Sequence, residues 1–178
     1  MSVLRKPPRV KLIAGIIYKP DADIEGCLLK MRERLGELDF TSEKIPFAYT
    51  SYYESEMGPG LKRKIISFKK LIEREKIVEV KIFTNVLEEV FSYQDKRTVN
   101  IDPGYLAHEH LILATGKGYS HRPYLGKGVY ADLNLIFVYD GYKPLKWTYP
   151  DYRSEKMRSL FMKLRDEYSK QIKEDETQ

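Results

Sequence analysis

The chain of 178 residues contains one cysteine, one tryptophan, three asparagines (Asn85, Asn100, Asn134) and three glutamines (Gln94, Gln171, Gln178). The lone Cys27 excludes an intramolecular disulfide and a cysteine-rich zinc site. No stretch approaches the roughly 20 apolar residues of a membrane span. The N-terminal MSVLRKPPRVK has charge but no apolar core long enough for a signal peptide, so a cytoplasmic protein is expected. Few amides beside abundant Lys and Glu is a balance reported for proteins of hot-living organisms, and a thermophilic source is expected. Charge of one sign is not in great excess. With 31 basic against 26 acidic residues, a net charge of +5 and a pI near 9.1, the chain mildly favours anionic partners, and solubility alone would also account for the imbalance.

Internal repeats and interdomain linkers are also lacking, and the length suits a single domain spanning 1–178. What is present reads clearly in places. VKLIAGIIY (10–18) is a continuous apolar run, the pattern of a strand buried on both faces. From Asp23 the period changes: Ile24, Cys27 or Leu28, Met31 and Leu35 mark an amphipathic helix with Asp21 or Asp23 as N-cap and Gly36 near its end. Phe47, Tyr49, Ser51 and Tyr53 alternate with their neighbours as in a strand. The turn Gly58-Pro59-Gly60 would then close a hairpin onto 61–72, a segment that fits strand or helix and is taken as a strand. A second helix is expected at about 74–92. Short strands follow at 98–102 and 111–115, with Asp102-Pro103-Gly104-Tyr105 as a turn. The clearest strand is Val129 to Tyr139, and Asp140-Gly141 is a hairpin signal. A last helix begins near Ser154, and the polar tail QIKEDETQ is expected to fray. The order strand, helix, strand, strand, helix, strand up to about residue 102 predicts an α+β fold: a ferredoxin-like split βαβ sheet with a β-rich extension (about 103–150) and a closing helix (about 154–172).

The segment ATGKGYSHRPYLGKGVYAD (114–132) writes Gly-Lys-Gly twice within thirteen residues and carries no acid between Ala114 and Asp132. Lys117, Arg122 and Lys127, with the backbone of Gly126 and Gly128, suit an anionic group such as phosphate. The plainer reading is two turns with solvated lysines. The segment is not a P-loop. His121 and Leu111 stand where the upstream glycine would be needed, and Gly128 and Gly118 follow the lysines in place of Ser or Thr. Neither Asn-Lys-x-Asp nor Thr-Lys-x-Asp occurs, which disfavours a standard GTPase. His121 is the best candidate for acid–base work, with a structural histidine as the alternative. Asp102 and Asp132 sit at or in strands and need partners or a cleft. Arg122 is the first choice of partner for Asp132. Trp147, Tyr149 and Tyr152, with Tyr124 and Tyr130, form either one wall of a nucleotide pocket or a core closure in which Asp151 starts the last helix. His108-Glu109-His110 has metal-ligand character on a strand but no evident third ligand, and no metal is assigned.

Three segments together carry a family resemblance: Val99-Asn100-Ile101-Asp102-Pro103-Gly104-Tyr105-Leu106; His121-Arg122 through Tyr124-Leu125 to Gly128-Val129-Tyr130-Ala131-Asp132; and Trp147-Thr148-Tyr149-Pro150-Asp151-Tyr152. With Tyr53-Glu54 through Glu56-Met57-Gly58 the chain resembles, over nearly its whole length, a domain-of-unknown-function family, number 4416, of short prokaryotic proteins sometimes labelled GTP-binding. The resemblance brings no established active site with it. The leading expectation is binding of a phosphate-bearing small molecule, such as a nucleotide, through 116–128 and the aromatic segment near Trp147. Two alternatives stand beside it. An RNA-binding module would use Tyr49 and Tyr53 to stack bases and Lys62, Arg63 and Lys64 to meet phosphates. A structural or interaction protein would bury its tyrosine-rich surface against another copy.

Overall fold

A computed structural model describes residues 3–50 and 52–175. In chain order the elements are β1 (Val10–Tyr18), α1 (Ile24–Leu35), β2 (Leu38–Thr41), β3 (Ile45–Pro46), α2 (Glu54–Met57), β4 (Lys62–Ile72), a 3-10 turn (Arg74–Lys76) and α3 (Ile77–Val90). There follow β5 (Ser92–Tyr93), β6 (Lys96–Arg97), β7 (Val99–Leu106), β8 (His110–Thr115), β9 (Tyr124–Gly126), β10 (Val129–Val138), β11 (Gly141–Pro144) and α4 (Glu155–Asp175). The result is a mixed α and β protein with a mostly antiparallel sheet and a C-terminal helix. The main sheet runs β11-β10-β8-β7-β1-β4-β2, with β3 added to β4 and β9 to β10.

β1 is buried at every position because both faces of the sheet are covered. Leu12, Ala14 and Ile16 face α1 and α3, packing with Cys27, Met31, Ile77, Val80 and Leu87. Ile13 faces the other way, with Ile65, Leu113 and Leu135, under Met157, Phe161, Leu164 and Tyr168 of α4. Each large side chain buried this way is worth roughly 2 kcal/mol. α1 starts and stops as expected: Asp23 accepts from the Gly26 N–H, and Gly36, at φ 103°, ends the helix. Ser154 caps α4 by accepting from Met157 N–H at 3.2 Å.

Three expectations need correction. Residues 47–50 and 52–53 form no strand; Ser51 lies outside the described residues. The second strand of the sheet is instead Leu38–Thr41, which pairs with β4, so 47–61 is a long connection that includes α2. Gly58-Pro59-Gly60 therefore closes no tight hairpin, although 61–72 is largely a strand as anticipated. The third correction is Asp102-Pro103-Gly104-Tyr105, which is no turn but lies inside β7. The expected fraying of the tail falls partly on 176–178, outside the described residues.

Pro103 shapes the sheet. β8 pairs with β7 only at Gly104, Tyr105 and Leu106, while β1 pairs along the whole of it. The Ile101 N–H bonds Glu88 rather than β1, so Ile101, and Pro103 two residues on, direct their backbone nitrogens toward the β8 side. Pro103 has no N–H to give, and the ladder stops there. At Gly104, the last paired residue, an added Cβ would strike the Ile112 carbonyl oxygen, so the two strands are in close approach just before they part. Beyond this point Ala114 and Thr115 pair only with β10. The orphaned backbone of Ile101 is satisfied by α3: Glu88 accepts from its N–H at 2.6 Å and Lys81 donates to its carbonyl at 3.2 Å. Burial pushes the Glu88 carboxyl up, against the pull of Lys81, the Ile101 N–H and Arg97. No helix among the described residues is long and apolar enough to cross a membrane.

Candidate functional site

The parting of β7 and β8 opens a cleft. Antiparallel register places Asp102 opposite Gly15, Asn100 and Arg63 opposite Ile17, and Tyr130 opposite Thr115. Directly paired residues share a face, so these residues lie on the α4 side of the sheet, beyond the reach of α4 itself. A chamber of about 460 Å³ lies there, lined by Phe47, Tyr49, Tyr52, Tyr53 and Tyr149 together with Arg63, Asp102, Lys117, Arg122 and Asp151. A second chamber of about 470 Å³ adjoins it beside α3 and shares Tyr52, Tyr53, Asp102, Lys117 and Tyr149 with the first. Lys117 Nζ donates to the Tyr52 hydroxyl at 2.9 Å, joining the two loops that rim both chambers. That bond, with the lysine charge behind it, lowers the Tyr52 phenol below its ordinary value.

The floor is charged and mostly committed. Arg63 is buried; its Nη1 donates to Asp151, its Nη2 lies 3.7 Å from Asp102, and it packs over the Phe47 and Tyr152 rings. Burial pushes the Asp151 carboxyl up, opposed by Arg63 and two backbone N–H groups. Burial likewise pushes the Tyr149 phenol up to about 12, with Asp102 and Asp132 adding to it. Among the described residues Asp102 has the Arg63 guanidinium as its one salt-bridge partner, and its side chain is one-fifth exposed. Of the two carboxylates lining the tyrosine chamber, Asp102 is the less buried.

The expected Arg122–Asp132 pair forms, at 2.8 Å with Asp132 buried, and Arg122 also donates to the Lys117 carbonyl at 3.1 Å. Its charge is therefore partly spent on holding the loop. His121 stacks on Trp147 with ring centroids 4.6 Å apart, and its Nε2 lies 3.5 Å from Asp132 Oδ1, behind the cleft wall rather than in it. Trp147 donates Nε1–H to the Leu133 carbonyl at 2.7 Å. The segment around it is docked on a bulge in β10, where Asn134 Oδ1 accepts from the Tyr149 N–H and Thr148 Oγ1 bonds the Asn134 carbonyl. This docking delivers Tyr149 and Asp151 to the cleft. Asp151 does not cap α4 with its carboxylate, which goes to Arg63 instead.

Of the residues singled out in the sequence, Asp102, Lys117, Arg122 and Tyr149 line the cleft. Gly126, Lys127 and Gly128 do not. They turn the β9–β10 hairpin, all three at positive φ, and Lys127 is exposed there. Tyr130 packs its ring on Tyr124, with centroids 5.1 Å apart, and takes no part in the lining. His108, Glu109 and His110 disperse: the His108 ring lies on Tyr168, Glu109 pairs with Arg74 at 2.8 Å, and the His110 ring meets Tyr105. Arg63, one of the three cations named for an RNA backbone, is buried, and Tyr49 and Tyr53 line the cleft. Sequence reasoning missed Arg63 as a floor residue. The period of two was the available signal, since it sets Arg63 with Ile65 and Ser67 and apart from Lys62 and Lys64. A third cavity, about 410 Å³ between α1 and α3 at the far end of β1, is lined by Arg34 and Lys70 and by charges held in ion pairs, Lys76 with Glu79, Glu73 with Lys6, and Arg9 with Asp175.

Comparison with protein families places the chain. It belongs to the family described as Domain of unknown function (DUF4416), which matches residues 8–168. No curated protein and no solved structure matches it.

Proposed function

We propose that the cleft binds a phosphate-bearing small molecule with an aromatic ring, of the nucleotide class. The observation that carries this is the convergence of Lys117 and Arg122 with four tyrosines (Tyr49, Tyr52, Tyr53 and Tyr149) on one chamber floored by Asp102. Lys117 meets the phosphate as a point charge, and Arg122 adds its field from behind. The tyrosines offer faces for a ring, and Asp102 accepts from a donor edge of the ligand. His121 contributes by bracing Trp147 and Asp132. If the site turns a substrate over, Asp102 is better placed than His121 to move a proton. The same reading takes residues 10–106 as a ferredoxin-like split βαβ core, supported by the sheet order β7-β1-β4-β2 with α1 and α3 on one face.

Calorimetry with inorganic phosphate and with ribonucleoside mono- and triphosphates tests the proposal. Modest affinity is expected, with no tightening by magnesium, because the cleft has no glycine-rich backbone cradle for a magnesium triphosphate. Failure of all these ligands to bind would leave the loop as a structural turn. Rapid magnesium-dependent GTP hydrolysis would overturn the mechanism and restore the GTP-binding label.

A further inference from the structure

The chamber beside α3 differs from its neighbour in chemistry. The tyrosine chamber holds the cations Arg63, Lys117 and Arg122. The α3 chamber shares Lys117 and is bordered by Lys81 and Arg97, and to these it adds the amides Asn85 and Asn100 and the carboxylates Glu88 and Glu89 beside the shared Asp102. Asn100 carries a directional demand. Its Oδ1 accepts from Arg97 Nη1 at 2.8 Å, and a guanidinium can only donate, so the amide orientation is fixed with Nδ2 as the free end. The residue is 5% exposed, yet Nδ2 has no hydrogen-bond partner. A buried donor left without an acceptor costs stability unless a ligand supplies one. Near it stand Glu89 and Asn85 on the exposed surface of α3 and the carboxylate of Asp102, which offer acceptors. A wall that mixes fixed donors with acceptors suits groups that both donate and accept, and hydroxyls do both.

We propose that the α3 chamber is a sugar subsite, taking the hydroxyls of a ribose-type ring whose base and phosphate extend into the tyrosine chamber. The assignment rests on the nucleotide reading above and names the part of the ligand that reading left unplaced. A ribose is the branch point of a nucleotide, joined to the base at one carbon and the phosphate at another. It therefore belongs where the chambers meet, beside Asp102 and beneath the Lys117–Tyr52 bridge. Asn100 Nδ2 donates to one hydroxyl, while Asp102 and Glu89 accept from the pair.

The test is calorimetric titration of the full chain with ribose 5-phosphate, inorganic phosphate, the four common ribonucleoside 5′-monophosphates and their 2′-deoxy and 2′,3′-dideoxy forms. We expect each hydroxyl removed to weaken binding about tenfold, and ribose 5-phosphate to bind more tightly than phosphate. Glu89→Ala changes an exposed position of α3 and leaves the core intact. In this variant the preference for ribo over dideoxy forms should narrow about tenfold, with affinity for inorganic phosphate unchanged. Equal affinities of ribo, deoxy and dideoxy forms for the unaltered protein would overturn the sugar subsite and leave the nucleotide reading standing. Binding of ribose 5-phosphate without binding of any nucleotide would support the subsite and sink the nucleotide reading. Silence from every compound would overturn both.

Discussion

The two Gly-Lys-Gly copies have the same three residues and opposite fates. Gly116-Lys117-Gly118 follows β8 just where that strand has left β7, and its lysine reaches across the cleft to Tyr52. Gly126-Lys127-Gly128 turns a hairpin, and its lysine points to solvent. In the second copy the glycines serve the backbone: φ is 110° at Gly126 and 80° at Gly128, in the left-handed region. In the first copy neither glycine has a positive φ, and Gly116 borders open space. The tripeptide decides nothing by itself. A cleft-facing lysine arises where a strand pair has been forced apart, and Pro103 is what parts them.

The largest expected effect concerns the cation that braces the first copy. Arg122→Ala leaves Asp132 buried without its partner and should cost about 3 kcal/mol of stability, read as a fall in the denaturation midpoint. Loss of binding in that variant would then partly reflect a loosened loop, so the comparison needs the lysines. Lys117→Ala should weaken phosphate or nucleotide binding about tenfold, whereas Lys127→Ala should leave it within about twofold, by calorimetry. Equal losses in the two variants would erase the difference between the copies. The glycines should show the reverse ranking. Gly126→Ala or Gly128→Ala should destabilise by about 1 kcal/mol with binding unchanged, and Gly116→Ala should be close to neutral in chemical denaturation. The smallest effect is spectroscopic. Lys117 holds the Tyr52 phenol below its ordinary value, so Lys117→Ala should raise one tyrosine midpoint in an ultraviolet pH titration. Lys127→Ala should move none.

The elements with a strong period were legible. β1, α1, α3, β10 and α4 follow from apolar spacing alone, because each must bury a stripe or a face whatever its neighbours do. Errors gathered around the cleft. Phe47, Tyr49 and Tyr53 alternate like a strand, but their rings line a chamber, and the pairing partner of β4 is the less conspicuous Leu38–Thr41. Asp102-Pro103-Gly104-Tyr105 has the composition of a turn, yet β1 pairs with it throughout and its proline costs the ladder only on the β8 side. The sequence offers Asp151 as a helix start in one reading and Arg63 as a phosphate-meeting cation in another, whereas each is the other's buried partner across 88 residues of sequence. Local spacing contains no term for such a pair.

By itself the sequence determined the strand and helix periods, a cap at Asp21 or Asp23, the absence of a P-loop and the pairing need of Asp132, since each depends on residues close in the chain or on the chemistry of one side chain. The tertiary structure alone decided that β7 and β8 part at Pro103, that α3 supplies Glu88 and Lys81 to the orphaned backbone, and that Lys117 rather than Lys127 faces a cleft. Those outcomes depend on which strand lies beside which. That neighbour is set by the burial of whole faces of the sheet, a balance to which residues far apart in the chain contribute together.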